Sequence, residues 1–365
     1  MTANTPDSHQ TDAPQADTDA FADRMLAMLN YGALALMTSI GHRTELFDTM
    51  ADLPPATSQQ IAEAAGLNER YVREWLGAMV TGRFITYDPS GDTYALPPAH
   101  AAVLTRAASP DNIAPFAQYI PLLGTVEDSV VDCFYEGGGV PYAQFKRFHA
   151  VMAEDSGQTV VAALENHVLP LVPDLVKALE QGIAVLDVGC GSGRALNTLA
   201  KLFPHSQFLG IDISAEAIAT ARDESSDRHL TNVRFEVQDA ATFREFEQYD
   251  LITTFDAIHD QPHPDVVLRN IHRALKSDGL YLMQDIRASS NVAGNLDHPV
   301  APLLYTLSCM HCMTVSLAEG GMGLGAMWGE ETAIAMLKAA GFAHLEIKQL
   351  AHDFQNSYYI VRKGG

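Results

Sequence analysis

The sequence predicts an α/β fold in which a doubly wound parallel sheet with a reversed last strand follows a helical winged-helix domain. From Ile183 onward, short apolar runs alternate with helical stretches, which is typical of such a sheet. The final two runs are separated only by a polar turn, which favours an antiparallel hairpin. The predicted strands are Ile183–Val188, Gln207–Ile211, Val233–Val237, Leu251–Phe255, Leu280–Gln284, Leu345–Leu350 and Tyr358–Val361.

The first part of the chain has the element order of a winged helix, with three helical segments before a hairpin. Phe21–Met50 is predicted to form one or two strongly apolar helices, in which Gly32–Met37 is apolar on all sides. We therefore expect burial against a second copy of the chain and predict a homodimer through these N-terminal helices. Ser58 can cap the short helix that follows, and Gly66 can end it. The hairpin strands Phe84–Tyr87 and Thr93–Leu96 flank a turn that contains proline and glycine.

Composition limits the partners. The chain has 365 residues, enough for about two domains, and 23 basic against 45 acidic residues give a net charge of −22. This charge repels nucleic acid and anionic membranes, and no apolar run reaches the ~18 residues needed to span a bilayer. The start of the chain lacks a secretory signal, and four cysteines make no disulfide framework. We therefore expect a cytoplasmic protein without a nucleic-acid or membrane partner.

The predicted organisation has four parts. They are a disordered tail over residues 1–20, a winged-helix and dimerisation domain over 21–105, a helical linker and cap over 106–180, and a ligand-binding domain over 181–365 with an insert at 286–330. DNA binding by the winged helix is disfavoured, because Arg70 and Arg73 stand beside Glu69 and Glu74 and the hairpin turn is acidic.

A glycine-rich turn follows the first predicted strand and predicts a nucleoside site. Asp187 is followed by Gly189-x-Gly191-x-Gly193, in which glycine allows close approach of the backbone to a ligand. A dinucleotide fingerprint would need a third glycine where Arg194 stands, so that pattern fails.

Two further carboxylates follow the next two strands. Asp212 is placed to accept the ribose hydroxyls, and Asp239 lies where an adenine amine would be. The predicted cofactor-binding residues are Asp187, Gly189, Gly191, Gly193, Asp212, Ile213, Asp239, Ala240, Phe255 and Asp256.

The stretch Ile183–Phe255 resembles the motif series of class I S-adenosylmethionine (SAM)-dependent methyltransferases, whose sheet also has a reversed last strand. The domain in front resembles the dimerisation domain of small-molecule O-methyltransferases. The whole chain after the tail is similar to a bacterial group of winged-helix methyltransferases, through Ser39–Thr44, Gly137–Tyr142 and Met310–Thr314. This resemblance implies SAM as cofactor, S-adenosylhomocysteine as product and a small-molecule acceptor. Some relatives of this layout act on small thiols or sulfide.

The loop after the fourth strand contains the candidate base. His259 and Asp260 resemble the pair in plant-type O-methyltransferases, where the histidine is the general base, and Asp260 or Asp256 is predicted to orient its ring. A structural loop histidine is the alternative. The insert should cover the acceptor, and the candidate substrate residues are Tyr142, Tyr305, Cys309, His311, Cys312, Met313, Trp328 and, from the N-terminal helices, His42.

Several alternatives stay open. Cys309, His311 and Cys312 could be part of a soft-metal site, but four ligands at suitable spacing are lacking, so no metal is predicted. Gly137–Tyr142 is either a loop that moves over the site or a plain connector. The sequence predicts S-methylation of a small thiol or sulfide such as hydrogen sulfide or methanethiol. O-methylation of a phenolic metabolite is the second possibility, and a non-enzymatic SAM-binding regulator is the third.

Overall fold

The computed structural model describes residues 13–364 and divides into two compact units. One unit contains the described residues up to Ala108 together with Phe116–Ile120, and the other contains Ser109–Pro115 and Pro121 onward. The predicted linker and cap, 106–180, therefore belongs largely to the second unit. Of the predicted disordered tail, residues 1–12 lie outside the described range. Residues 13–20 are the start of a helix, so the expectation of disorder was wrong for them.

The first unit has the predicted order of helices and hairpin. Its elements are α1 (Ala13–Arg43), α2 (Leu46–Ala51), α3 (Ser58–Ala65), α4 (Glu69–Thr81), β1 (Thr86–Asp88), β2 (Thr93–Ala95) and α5 (Pro98–Leu104). The N-cap of α3 is Thr57, not Ser58 as predicted, because Thr57 and Gln60 form a capping box. Gly66 ends the helix in the left-handed conformation, as expected.

The arginines of α4 are paired on the helix itself. Arg73 lies 3.2 Å from Glu69, and Arg70 is paired with Glu74. On α1, by contrast, large apolar side chains are exposed in the single chain, with Leu26 62% and Tyr31 71% exposed.

The second unit begins with helices and continues as the alternating fold. Its elements after α6 (Tyr119–Gly124), which contains a unit boundary, are α7 (Glu127–Glu136), α8 (Phe148–Ser156), α9 (Leu175–Gln181), β3 (Ala184–Val188), α10 (Arg194–Leu202), β4 (Gln207–Asp212), α11 (Ala215–Asp227), β5 (Val233–Val237), β6 (Tyr249–Phe255), α12 (Pro264–Ala274), β7 (Leu275–Ile286), α13 (Ala301–Leu307), α14 (Met313–Ala318), α15 (Gly329–Ala339), β8 (Phe342–Lys348) and β9 (Asn356–Lys363).

Seven strands form the sheet in the order β5-β4-β3-β6-β7-β9-β8. The first five are parallel, and β9 runs antiparallel to both of its neighbours. The predicted reversed last strand is confirmed. Side chains of successive strand residues, such as Val185 and Leu186, belong to two different apolar clusters, so both faces of the sheet are buried. The carboxyl ends of the parallel strands therefore meet at one edge.

The predicted insert contains a helical stretch that corrects one expectation. Ala301–Ala318 is long and apolar enough to cross a membrane by length and composition, so the sequence does contain a run of that length. Within this stretch, 44% of the residues are buried inside the protein, and the core helix of a soluble protein passes the same test. A π-helical turn, Ser308–Cys312, interrupts it, and such turns are frequent at functional sites.

Candidate active site

A cavity of about 680 Å³ lies at the carboxyl edge of the sheet. All of the predicted cofactor-binding residues line it except Gly193, which lies beneath the loop against Phe235 and Ala221. Residues of α8 that the sequence analysis missed, including Phe148, His149 and Met152, also line the cavity. The sequence of α8 contains no motif that would have predicted its place beside the cavity.

Hydrogen bonds fix the glycine turn against the second strand. The Gly189 amide donates to the carbonyl of Ile211 (2.9 Å), and the Gly191 amide donates to Oδ2 of Asp212 (2.9 Å). Oδ1 of Asp212 accepts from the Ser214 amide at 2.8 Å. Gly189 has a φ of 75°, and a Cβ there would come within 2.6 Å of the Ala257 side chain, so this position requires glycine.

The cavity is acidic and fits a cationic nucleoside. Asp187, Asp212, Asp239, Asp256 and Asp260 line it, and Arg194 is the one arginine or lysine among the described lining residues. Burial raises the pKa of Asp187 to about 7, and the charge of Asp212 contributes to the shift. A sulfonium ligand would relieve the repulsion among these carboxylates, because its positive charge favours their ionised forms.

The candidate base His259 is buried, with 4% of the residue exposed. Its Nδ1 lies 2.7 Å from Oδ1 of Asp285 in β7. The predicted partners, Asp260 and Asp256, were therefore wrong, and Asp285 is the carboxylate that orients the ring. The predicted fifth strand ended at Gln284, two residues before the observed end at Ile286, and the strand-end rule that found the other aspartates would have found Asp285 too.

Burial and the charge of Asp285 shift the pKa of His259 in opposite directions. Burial lowers the pKa of the imidazole, but Asp285 and a hydrogen bond with the Cys312 side chain outweigh it and hold the pKa well above its usual value. Burial and the charge of Asp285 also raise the pKa of Asp256 well above its usual value. If Nδ1 carries the proton that faces Asp285, Nε2 is the nitrogen that can accept a proton, from the Cys312 thiol or from an acceptor.

Donor atoms of Asp256, His259 and Asp285 lie within 4.8 Å of one another, a spacing that would also suit a metal ion. Two of these residues, His259 and Asp285, share the 2.7 Å hydrogen bond of a candidate acid–base pair. Cys309, His311 and Cys312 do not form such a ligand group among the residues the structure describes.

His311 is in an aromatic cluster. It stacks on Phe148 at 3.5 Å between ring centroids and meets the edges of Phe145 and Tyr142 at 4.7 and 5.4 Å. The residue is 1% exposed, and neither ring nitrogen has a hydrogen-bond partner among the described residues. Burial, with His259 and His149 nearby, holds the pKa of His311 well below its usual value.

The other predicted substrate residues are spread over different places. Tyr142 lines the cavity, whereas the Tyr305 hydroxyl accepts from Asn295 at 3.2 Å away from the lining. Cys309 and Met313 are half-buried and do not line it, and His42 is buried in the first unit. Trp328 does not line the cavity either, and its indole N–H donates to Asp285 instead.

Gly137–Tyr142 packs closely against the insert. The Val140 amide donates to Oγ1 of Thr314 at 2.8 Å. A Cβ on Gly139 would lie 2.0 Å from the carbonyl oxygen of Thr314, so only glycine allows this approach. Gly139 therefore serves this contact with α14, whereas a Cβ on Gly137 or Gly138 would meet nothing within 4 Å.

Comparisons with known proteins agree with this geometry. A methyltransferase domain model matches residues 179–332, and an Rv2258c-like winged HTH domain model matches residues 32–106. The chain therefore combines a methyltransferase domain with a winged-helix domain of the Rv2258c-like type. SAM is the cofactor, as the resemblance implied.

The matched relatives differ in their acceptors. The chain is 29% identical to a malonyl-[acyl-carrier protein] O-methyltransferase of Bacillus cereus over 38% of this chain and 50% of that protein. It is 35% identical to an arsenite methyltransferase of Aquipseudomonas alcaligenes over 33% of this chain and 37% of that protein. The chain thus spans half or less of these relatives' length.

Human N-acetylserotonin methyltransferase, solved in complex with SAM, is similar in fold. Its TM-score is 0.69 at 18% identity, with 94% of this chain and 98% of that one covered.

We predict that Asp212→Ala abolishes SAM binding measured by calorimetry, because its carboxylate holds the glycine turn and faces the cavity. The control is Asp223→Ala, an exposed residue of the neighbouring helix α11. Unchanged affinity in Asp212→Ala would remove the ribose assignment.

We predict that Asp285→Asn lowers kcat by roughly 10²-fold or more, since the ring loses the group that fixes its tautomer. The acid limb of kcat/KM, which lies above the usual histidine range because the His259 pKa is raised, should move to lower pH. The loss of the Asp285 charge destabilises the imidazolium and so lowers that pKa. Asp278→Asn, an exposed position in the same strand, should change neither. An acid limb that stays in place would contradict this assignment.

Proposed function

We propose that the protein transfers the methyl group of SAM to a small thiol or sulfide, with His259 as the base. The pair of His259 and Asp285 carries this proposal; neither residue lines the cofactor cavity, but Ala257 and Asp260, in the same loop as His259, do. When bound, SAM supplies an electrophilic methyl group on a sulfonium and leaves as S-adenosylhomocysteine. Asp212 and Asp239 bind the nucleoside, and Ala240 and Phe255 enclose it. In-line methyl transfer needs mostly alignment and desolvation, which this buried site favours.

His259 supports a sulfur acceptor through its raised pKa. Nε2 takes the proton of the acceptor as the new bond to carbon forms. A free thiol has a pKa near 8.5 and a phenol has one near 10. The pKa of a basic imidazole therefore comes closer to that of a thiol than to that of a phenol. His259 already interacts with one thiol, that of Cys312.

The aromatic cluster around His311 supports a small acceptor. A buried imidazole without hydrogen bonds costs roughly 1–3 kcal/mol, which a polar atom of the acceptor would offset. The rings of Phe145, Phe148 and His311 already pack on one another and leave little room between them. Of the predicted substrate residues, we assign Tyr142, His311 and Cys312 to the wall of the acceptor site.

An O-methyltransferase of a small phenolic metabolite is the second candidate. The names of several matched proteins favour it, since they act on oxygen acceptors. A non-enzymatic regulator is the third candidate. The arginines of α4 argue against it, because they are paired with glutamates of the same helix and cannot fully neutralise the phosphates of a nucleic acid.

We further infer a cytoplasmic homodimer without a nucleic-acid or membrane partner. The exposed apolar side chains of α1 support a second copy as their cover. All four cysteines are free thiols, which supports a reducing compartment.

An acceptor screen tests the proposed reaction. Sulfide, methanethiol, larger thiols and catechols are compared with SAM while S-adenosylhomocysteine formation is followed. We expect the highest kcat/KM for sulfide or methanethiol. A strong catechol signal without a thiol signal would establish the O-methyltransferase alternative.

His259→Ala tests the base. We expect unchanged SAM affinity and a loss of turnover of roughly 10²–10⁴-fold, because no group then takes the proton. The matched control is His344→Ala, an exposed histidine of β8. Full turnover of His259→Ala with its best acceptor would make His259 a structural residue.

A further inference from the structure

Trp328 contacts the carboxylate behind the base. Its indole N–H donates to Oδ1 of Asp285 at 3.0 Å, and the residue is 4% exposed. The same oxygen accepts from the Ile286 amide at 2.8 Å and lies 2.7 Å from Nδ1 of His259. Three donors thus converge on one buried carboxylate oxygen, whereas Oδ2 has no partner among the described residues.

The segment that carries Trp328 also holds the main chain of His259. The Gly325 amide donates to the His259 carbonyl at 3.2 Å, and the Trp328 amide donates to the Gly325 carbonyl at 3.1 Å. Oγ of Ser290 donates to the carbonyl of Trp328 at 2.6 Å. These hydrogen bonds fix the backbone of Trp328 and thereby its indole. His259 is held by Asp285 at its ring and by the Gly325 amide at its main-chain carbonyl.

The next residue shows how tightly this segment is built. Gly329 has a φ of 77°, and a Cβ there would lie 2.0 Å from the Ser290 amide nitrogen. Only glycine allows the chain to turn here directly after Trp328. Ordinary filling of a core by tryptophan would not require its N–H to reach a carboxylate.

We propose that Trp328 is a positioning residue for methyl transfer, which holds the Asp285 carboxylate in the place from which it orients His259. This inference rests on the proposed role of His259 as base. Trp328 touches neither the cavity nor an acceptor, and it acts through Asp285.

The indole has a definite effect on the proton. A hydrogen bond to a carboxylate stabilises its negative charge. Without the indole N–H, the negative charge of Asp285 is shared with one donor fewer and stabilises the imidazolium of His259 more strongly. The pKa of His259 should therefore rise further, which is the opposite of the effect expected for Asp285→Asn.

Other charged groups face the pair from several elements. Asp256 and Asp260 lie in the loop that carries His259, and Cys312 and His311 face it from the π-helical turn. Tyr281 of β7 and Tyr359 of β9 are within electrostatic reach of Asp285. None of these groups changes in a Trp328 variant, so a shift of the acid limb reports on the indole hydrogen bond.

Trp328→Phe keeps an aromatic ring and removes the donor. We expect kcat to fall roughly tenfold, less than for loss of the base, with unchanged SAM affinity. The acid limb of kcat/KM should move to higher pH by roughly half a unit or more. Trp75→Phe is the matched control, because it removes the other indole, whose N–H donates to the Met37 carbonyl at 2.8 Å in the first unit. An unmoved acid limb in Trp328→Phe would overturn the proposal.

Fluorescence gives a second measurement that does not depend on turnover or on folding of Trp328→Phe. In Trp75→Phe, Trp328 is the one tryptophan left. Its emission should titrate with a midpoint above the usual histidine range, because a proton on His259 changes the charge beside the indole. A flat emission over that range would overturn the proposal. An emission that titrates in a protein that transfers methyl groups, but not to a thiol or sulfide, would keep it while the proposed acceptor fails.

Discussion

The site depends on one constraint, which is that parallel strands deliver their carboxyl ends to a single edge. Asp187, Asp212, Asp256 and Asp285 follow or end neighbouring strands, although they are far apart in sequence. Both faces of the sheet are buried, so the edge is where polar groups can face a ligand. Cofactor site and base are thereby brought together by the topology before any side chain contact is considered.

Clustered carboxylates at this edge have two consequences. Burial and their mutual repulsion raise the pKa values of Asp187 and Asp260, to about 7 and about 6. Negative charge on these carboxylates is therefore electrostatically unfavourable without a positive charge beside them. The same negative charge stabilises an imidazolium at His259. One arrangement therefore favours a sulfonium ligand and strengthens the base, although burial alone would weaken an imidazole.

The sequence predicted the cofactor side of the site better than the acceptor side. The glycine turn and Asp212 are local patterns, since each follows directly from a strand and a turn. Asp285 directly follows the predicted end of the fifth strand and was missed because the strand-end rule was not applied to that strand. The capping role of Thr57 was missed because its partner Gln60 was not considered. The helix over residues 13–20 was missed because composition alone predicted a tail.

The acceptor side could not be predicted in the same way, because its contacts join distant segments. Phe148 precedes the first strand of the sheet and His311 follows the fifth, and no periodicity in either segment predicts that their rings stack. The role of Trp328 is of this kind too. Its residue type and its place in the insert suggested that it lines the acceptor site, but its indole N–H donates to Asp285 instead. Specificity therefore resides in packing between segments, which explains why one fold and one cofactor site can serve acceptors as different as those of the matched relatives.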